Sequence, residues 1–264
     1  MTDALGQRMK AQYEDRTRFM LPRRTYTIIR VDGKAFHTYT RGREKPFDYE
    51  LMDQMDAAAA VLCKEAMGCR CAYGQSDEYS FLLTDFATIT TESWFDGNVQ
   101  KIASVAASIF TAAFAEELSG AMETSRVYSP AFDARVFTIP DPVEVQNYFI
   151  WRQQDATRNA IQMAGCAHFS PNQLHGVSTS QIQEKLFQEK HINFNDYSVR
   201  AKRGRVIFKE KYALESGAEA ATRTRWSVDN EMPILTQDRD YFQRVMRIPD
   251  LQRVFAVEEE PANA

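Results

Sequence analysis

Three carboxylates stand where they could do chemistry, and they come from two places in the chain. Asp32 closes the β-branched run "TYTIIRVD", while Asp77 and Glu78 sit side by side in "CAYGQSDEYSFLL", between two runs that look like buried strands. Gly, Gln, Ser and Asp are common turn residues, so the second stretch reads first as a polar hairpin. Asp32-Gly33 is likewise a turn signal. The alternative is a metal site, which requires the fold to bring Asp32 to Asp77. Hard oxygen ligands of this kind suit Mg²⁺. Gly33, having no side chain, leaves its carbonyl open to a metal or a phosphate. Two such ions would stabilise the attacking and leaving oxygens of an in-line phosphoryl displacement.

The elements that must position these groups are legible from periodicity. Residues 25–32 read as a strand. In "PFDYELMDQMDAAAAVLCKEAM", Leu51, Met55, Ala58, Ala59 and Leu62 share one helical face, with Pro46 in the first turn. "CRCAY" and "EYSFLL" follow as strands about the Gly74–Asp77 turn. A second helix is expected over roughly residues 98–118, with Ala and Ser on one side for close packing. "FDARVFTI" alternates as a fourth strand, and a third helix runs from Pro140 to about Gly165.

The order strand, helix, strand, strand, helix, strand is the βαββαβ pattern of ferredoxin-like folds, an α+β antiparallel sheet with helices on one face. In that arrangement the first strand is expected centrally, beside the second and third, so that Asp32 approaches the Asp77-Glu78 turn. Polymerase palms and palm-type nucleotidyl cyclases use this logic. Residues 1–165 are read as the palm-like catalytic domain. Residues 166–264, with short helices and the strand "RGRVIFKE", are read as an elaboration packed on the same domain, with a disordered tail over 258–264.

A chain of 264 residues is long enough for a substantial core. No apolar run approaches a transmembrane helix, and the first nineteen residues mix acids and bases without a signal core. The expectation is a cytoplasmic protein without a membrane partner. Cys63, Cys69, Cys71 and Cys166 form no metal-ligand spacing and are expected as reduced thiols, with Cys69 and Cys71 on one strand face. Net charge is −4 at a pI near 5.7, which argues against a globally basic nucleic-acid binder. Local basic clusters ("LPRRTY", "TRGREK", "VRAKRGRVIFKEK", "ATRTRW") point the other way.

Six motifs, "IIRVDGKAFHTYT", "KPFD", "AYGQSDEYSFLL", "FDARVF", "YFIWRQQDATRN" and "HINFND", occur in an order and spacing that resembles the tRNA-His guanylyltransferase family, the 3′–5′ polymerases. The likeness runs from about Leu5 to Lys211 and is closer to the bacterial and archaeal guanylyltransferase-like branch. It implies a polymerase-like palm holding two Mg²⁺ ions by Asp32, the Gly33 carbonyl and Asp77, with Glu78 as the adjacent acid of the catalytic set. It implies nucleotide contacts from Asp32, Gly33, Lys34, Ala35, Phe36 and His37, from Ser76 and Asp77, and from Asn159. Arg30, Lys101 and Arg135 match basic positions that approach triphosphates.

Two departures bear on substrate. The eukaryotic "HINN" is "TRNA" here, with Thr157 in place of the His and Asn159 keeping one Asn. A basic family position one turn before Lys101 is Asn98. The "TRNA" type implies template-directed addition of GTP and other NTPs to tRNA 5′ ends, in repair or maturation. A 5′-monophosphate would first be activated with ATP. The alternatives are dedicated addition of G at position −1 of tRNA-His, a palm-type nucleotidyl cyclase, and a non-catalytic RNA-binding module. Lys202, Arg203 and Arg205 in the basic strand, with Arg223, Arg225 and Trp226, are candidates for tRNA contact, their alternative being a solvated edge strand and a half-buried Trp. The family implies a homotetramer, a dimer of dimers.

Overall fold

The computed structural model describes residues 3–119, 129–214 and 221–250. The expected tail over 258–264 lies outside the described residues. Its centre is a six-stranded antiparallel sheet in the order β4-β1-β3-β2-β5-β6, built from β1 (Tyr26–Gly33), β2 (Cys69–Gln75), β3 (Glu78–Thr84), β4 (Phe132–Ile139), β5 (Arg205–Leu214) and β6 (Ala221–Asp229). β1 is central, but its neighbours are β3 and β4 rather than β2 and β3. The tight Ser76-Asp77 turn makes β2 and β3 a hairpin, and β3 takes the inner place because every residue from Glu78 to Thr84 is buried. Asp32 still meets the hairpin, because its register partner is Glu78.

The two helices of the βαββαβ unit lie on one face, as expected, but the third helix expected within residues 1–165 does not join them. α1 (Tyr49–Glu65) and α2 (Val99–Ser119) cover Ile29, Val31, Ala72 and Phe81. Ala58, Ala59, Ala106 and Ala113 are buried there, and these small residues let the two helices approach closely. The third helix, α3 (Pro142–His168), follows β4 and crosses to the opposite face, where Tyr148 and Phe149 pack with Ile28, Tyr73 and Leu82. The segment from Met232 to Ile248 completes that second core. β5 and β6 extend the sheet beyond β2, so the later part of the chain shares the sheet with the palm.

Local signals fix the helix ends. The Asp48 carboxylate accepts Leu51 N–H at 2.8 Å and caps α1, so Pro46 precedes the helix rather than opening it. Asp141 caps α3, and the first-turn proline there is Pro142. A bulge between Cys69 and Cys71 changes the strand's phase. It sends Cys69 to the α1–α2 core and Cys71 to the α3 core, against the expectation of a shared face. Cys63, Cys69 and Cys71 are buried free thiols, and Cys166 is an exposed one. No helix among the described residues is long and apolar enough to cross a membrane.

Candidate active site

Asp32 and Asp77 meet at one end of the sheet. Gly33 N–H donates to the Asp77 carbonyl at 3.1 Å, tying the end of β1 to the hairpin turn. The turn itself holds Ser76 at φ 48°. Asp77 is pulled two ways: burial and the nearby Asp32 charge push its carboxyl up, while the Ser76 hydroxyl and a backbone N–H hold it down. Burial wins, and a cation beside Asp77 and Asp32 would favour the charged carboxylate. Among the described residues no three or more His, Cys, Asp or Glu side chains gather for a metal. The donors on hand are therefore two carboxylates and the Gly33 carbonyl, a sparse hard-oxygen set of the kind that leaves Mg²⁺ positions for water and phosphate. The residues present fit that ion.

Glu78 faces elsewhere. It is 8 % exposed, and its carboxylate lies between two guanidinium groups: Arg152 Nε at 2.8 Å and Arg30 Nε at 3.8 Å. Burial pushes the Glu78 carboxyl up, and Arg152 and Arg30 oppose that. It is neither solvated nor free to join a metal without giving up Arg152. Arg152 also reaches Asp155 at 2.8 Å, and Asp155 in turn pairs with Arg158 at 2.8 Å. The motif "YFIWRQQDATRN" by itself assigns no role to Arg152. The signal was present, because Tyr148, Phe149, Arg152 and Ala156 share the buried face of α3, and an arginine there needs an acid partner.

A cleft of about 500 Å³ opens beside Asp77 and Gly33, the chain neighbour of Asp32. Gly33, Ala35 and His37 form one wall, Ser76 and Asp77 another, and Met163 and Cys166 of α3 a third. Ala35 takes a left-handed conformation (φ 52°) and starts a short helix over Phe36–Tyr39, whose first N–H groups have no partner within the helix. Lys34 N–H is committed to the Ala131 carbonyl at 2.8 Å, while the Lys34 side chain is exposed. Phe36 is a core residue, packed on Tyr39, Phe114 and Phe132, and it supplies the cleft's apolar floor. Arg43 lines the cleft too but is held by Asp48 at 2.9 Å and Gln54 at 3.1 Å. Asn159 is exposed on α3, one helical turn before Met163, and does not itself line the cleft.

Arg135 sits opposite Arg30 on β4. Its guanidinium is 3.9 Å from both Asp32 and Asp133, and its side chain is 58 % exposed. Such long, wet pairs hold weakly and leave the group able to swing toward a ligand. Lys101 is not brought to the site. It stands in the first turn of α2, over the Phe95 ring at 4.7 Å, roughly 20 Å along the helix from Phe114 at the cleft end. Asn98, in the position where the family has a base, caps that turn by accepting Lys101 N–H at 3.0 Å.

The basic residues of the C-terminal strands divide sharply. Arg205 is fully buried and paired with Asp56, so the expectation of an RNA contact there is corrected: no phosphate can reach it. Lys202 is largely enclosed, its ammonium donating to the Asn195 carbonyl. Arg203 is half-exposed, and Arg223 and Arg225 are exposed, Arg225 with Glu210 at 2.8 Å. Trp226 packs partly into the α1–α2 core under Lys209, so it is a half-buried residue.

Known proteins share this arrangement. The profile of the family described as tRNAHis guanylyltransferase matches residues 6–140. A tRNA(His) guanylyltransferase of Debaryomyces hansenii is 31% identical over 232 residues, covering 82% of this chain and 85% of its own. A bacterial tRNA(His) guanylyltransferase-like protein solved in complex with ATP is 44% identical with a TM-score of 0.82, over 91% of this chain and 98% of its own. Another such bacterial structure, in complex with GTP, is 41% identical with a TM-score of 0.77, over 96% of this chain and 100% of its own. The chain that brings Asp32 and Gly33 to the Asp77 turn on a six-stranded sheet thus belongs to the tRNA(His) guanylyltransferase family of nucleotidyltransferases.

Proposed function

We propose that this enzyme adds nucleotides in the 3′–5′ direction to the 5′ end of tRNA, using GTP and other NTPs under the direction of the opposing strand. The observation that carries the reading is the approach of the Asp32-Gly33 strand end to Asp77, where Gly33 and Asp77 line a cleft of nucleotide size. Relatives solved with ATP and with GTP support both nucleotides as ligands of this cleft. In the first stage a 5′-monophosphate attacks the α-phosphorus of ATP, forming a 5′-adenylylated end and releasing pyrophosphate. In the second, the 3′-hydroxyl of the incoming NTP attacks the activated 5′ phosphorus. A phosphodiester forms, AMP leaves, and the hydroxyl proton passes to solvent. An RNA end that already carries a triphosphate enters at the second stage and releases pyrophosphate.

Asp32, Asp77 and the Gly33 carbonyl would hold two Mg²⁺ ions, which lower the pKa of the attacking hydroxyl and neutralise the leaving group. The chain's own groups do the positioning. The Phe36–Tyr39 turn offers N–H groups to phosphate oxygens, Arg135 and Lys34 supply mobile positive charge, His37 lines the cleft, and Asn159 would reach the nucleotide from the exposed side of α3. Thr157 favours templated addition over recognition of one tRNA by an imidazole. Its hydroxyl is turned back onto the Gln153 carbonyl at 3.1 Å. A homotetramer, as a dimer of dimers in the cytoplasm, would gather the exposed Arg223 and Arg225 of several protomers around one RNA.

The test incubates labelled 5′-truncated tRNA, and separately full-length tRNA-His, with ATP, GTP and Mg²⁺. Extension that follows the opposing base supports the reading. G addition opposite an unpaired position would assign the dedicated guanylyltransferase role instead. Cyclic nucleotide formed from NTP alone, with neither RNA extended, would overturn it.

A further inference from the structure

A second cleft lies across α3 from the catalytic one. It has a volume of about 430 Å³ and is walled by α3, by α4 (Thr179–Lys190), by the Phe194–Arg203 segment and by Ile234 and Thr236. The α3 residues that line it, Gln153, Gln154, Thr157, Arg158 and Ile161, point away from the Met163–Cys166 wall of the first cleft. The two clefts are separated by about one helix diameter, of order 10 Å.

Its chemistry is selective. Three cations border it: Arg158, Lys202 and Arg203. Arg158 is engaged by Asp155, but among the described residues neither Lys202 nor Arg203 has an ion-pair partner within 4.0 Å. Asp196 and Glu231 act on Lys202 only from further away. Burial and the adjacent Arg203 charge hold the Lys202 ammonium below the ordinary lysine range, the mark of positive charge that an anion would relieve. The floor is apolar, made by Phe194, Ile161 and Ile234, and amides of Gln154, Gln183 and Asn195 stand at the rim. No Asp or Glu lines the cleft. Without a carboxylate the cleft offers no anionic protein ligand to a metal ion, and its cations suit a phosphodiester.

We propose that this cleft is a second nucleotide site, which grips one unpaired nucleotide of the RNA substrate, its phosphate on Lys202 and Arg203 and its base over the Phe194 floor among the amides. The inference rests on RNA being the substrate of the catalytic cleft. It assigns the second cleft to RNA anchoring rather than to chemistry.

The experiment compares wild type with Arg203→Gln and Gln183→Ala, two substitutions at polar groups that are not core residues. Expected is a roughly tenfold rise in the KM for 5′-truncated tRNA with each, at unchanged kcat and unchanged KM for GTP. For Arg203→Gln the salt dependence of tRNA binding should also fall by about one unit of slope. An unchanged tRNA KM and salt slope in both variants overturns the inference. So does a second, tRNA-independent GTP site in wild type, seen by equilibrium dialysis and lost in Arg203→Gln while tRNA binding persists. If wild type extends no RNA at all, the 3′–5′ reading fails. Anisotropy of labelled tRNA on wild type and Arg203→Gln then still decides the cleft.

Discussion

Arg152 on α3 reaches the sheet at Glu78, with Nε 2.8 Å from one carboxylate oxygen and Nη2 donating to the other at 3.3 Å. Because Glu78 is the register partner of Asp32 and the chain neighbour of Asp77, this pair braces the two strands that carry the proposed metal ligands. The two acids of the hairpin therefore divide the work. Asp77 faces the cleft, and Glu78 is neutralised inside the protein.

Arg152→Met should destabilise the fold by roughly 3 kcal/mol, since it strands a buried carboxylate with only Arg30 at 3.8 Å. Glu78→Gln should be milder and should lower extension about tenfold. Asp77→Asn should lower it at least a thousandfold. Urea denaturation and single-turnover extension measure the two effects. A Glu78→Gln enzyme as inactive as Asp77→Asn would place Glu78 among the groups that touch the reacting atoms.

How far the sequence led is clearest at these residues. The elements that carry Asp32 and Asp77 are legible because strand alternation and helix periodicity reflect local physics. The neighbours of β1 are not, since hairpin pairing is decided by which strand is buried on both faces. Lys101 and Arg205 show the other limit. A cation's residue type does not tell whether its helix end or strand face meets the site, solvent or the core. Arg205 stands in a basic run, yet the inward phase of β5 carries it onto Asp56.

Asp85 should set the acid sensitivity of the N-terminal segment. Burial disfavours its charge, but the Ser93 hydroxyl at 2.7 Å, the Arg24 N–H at 3.0 Å and Arg23 Nε at 2.9 Å together outweigh that and hold its carboxyl below the ordinary range. A carboxylate with a lowered pKa in the fold contributes stability above its unfolded value, near 4, and loses it as pH falls through the folded value. Asp85→Asn should thus lose about 2 kcal/mol at pH 7, with the deficit shrinking as pH falls below about 4 and vanishing only below the lowered folded value. Thermal melts from pH 3 to 8 decide it, and a deficit constant across that range would refute it.

Gly33→Ala should damage the cleft without any change of charge. A Cβ there would lie 2.3 Å from the Phe36 ring, which cannot withdraw because Tyr39, Phe114 and Phe132 surround it. Overpacking of this kind costs about 1–3 kcal/mol. Displacement of the Phe36–Tyr39 turn should raise the KM for GTP. Pairing Gly33→Ala with Phe36→Leu should recover stability, as measured by urea midpoint, if the clash is the cause.

Asp56, Tyr79 and Arg205 form a buried ionic knot that should behave non-additively. Asp56 accepts from both the Tyr79 hydroxyl and Arg205 Nε, and Arg205 also lies over the Tyr79 ring at 5.3 Å and donates to the Met52 carbonyl at 3.2 Å. The knot joins α1, β3 and β5, so it fixes the C-terminal strands to the catalytic hairpin one residue from Glu78. Removing one charge leaves the other buried and alone. Arg205→Met and Asp56→Asn should therefore each cost about 3–5 kcal/mol, and the double variant distinctly less than their sum. Urea denaturation of the four proteins gives the coupling directly. Because no phosphate reaches Arg205, folded Arg205→Met protein should bind tRNA with the wild-type salt slope. A reduced slope at intact fold would return Arg205 to the RNA surface.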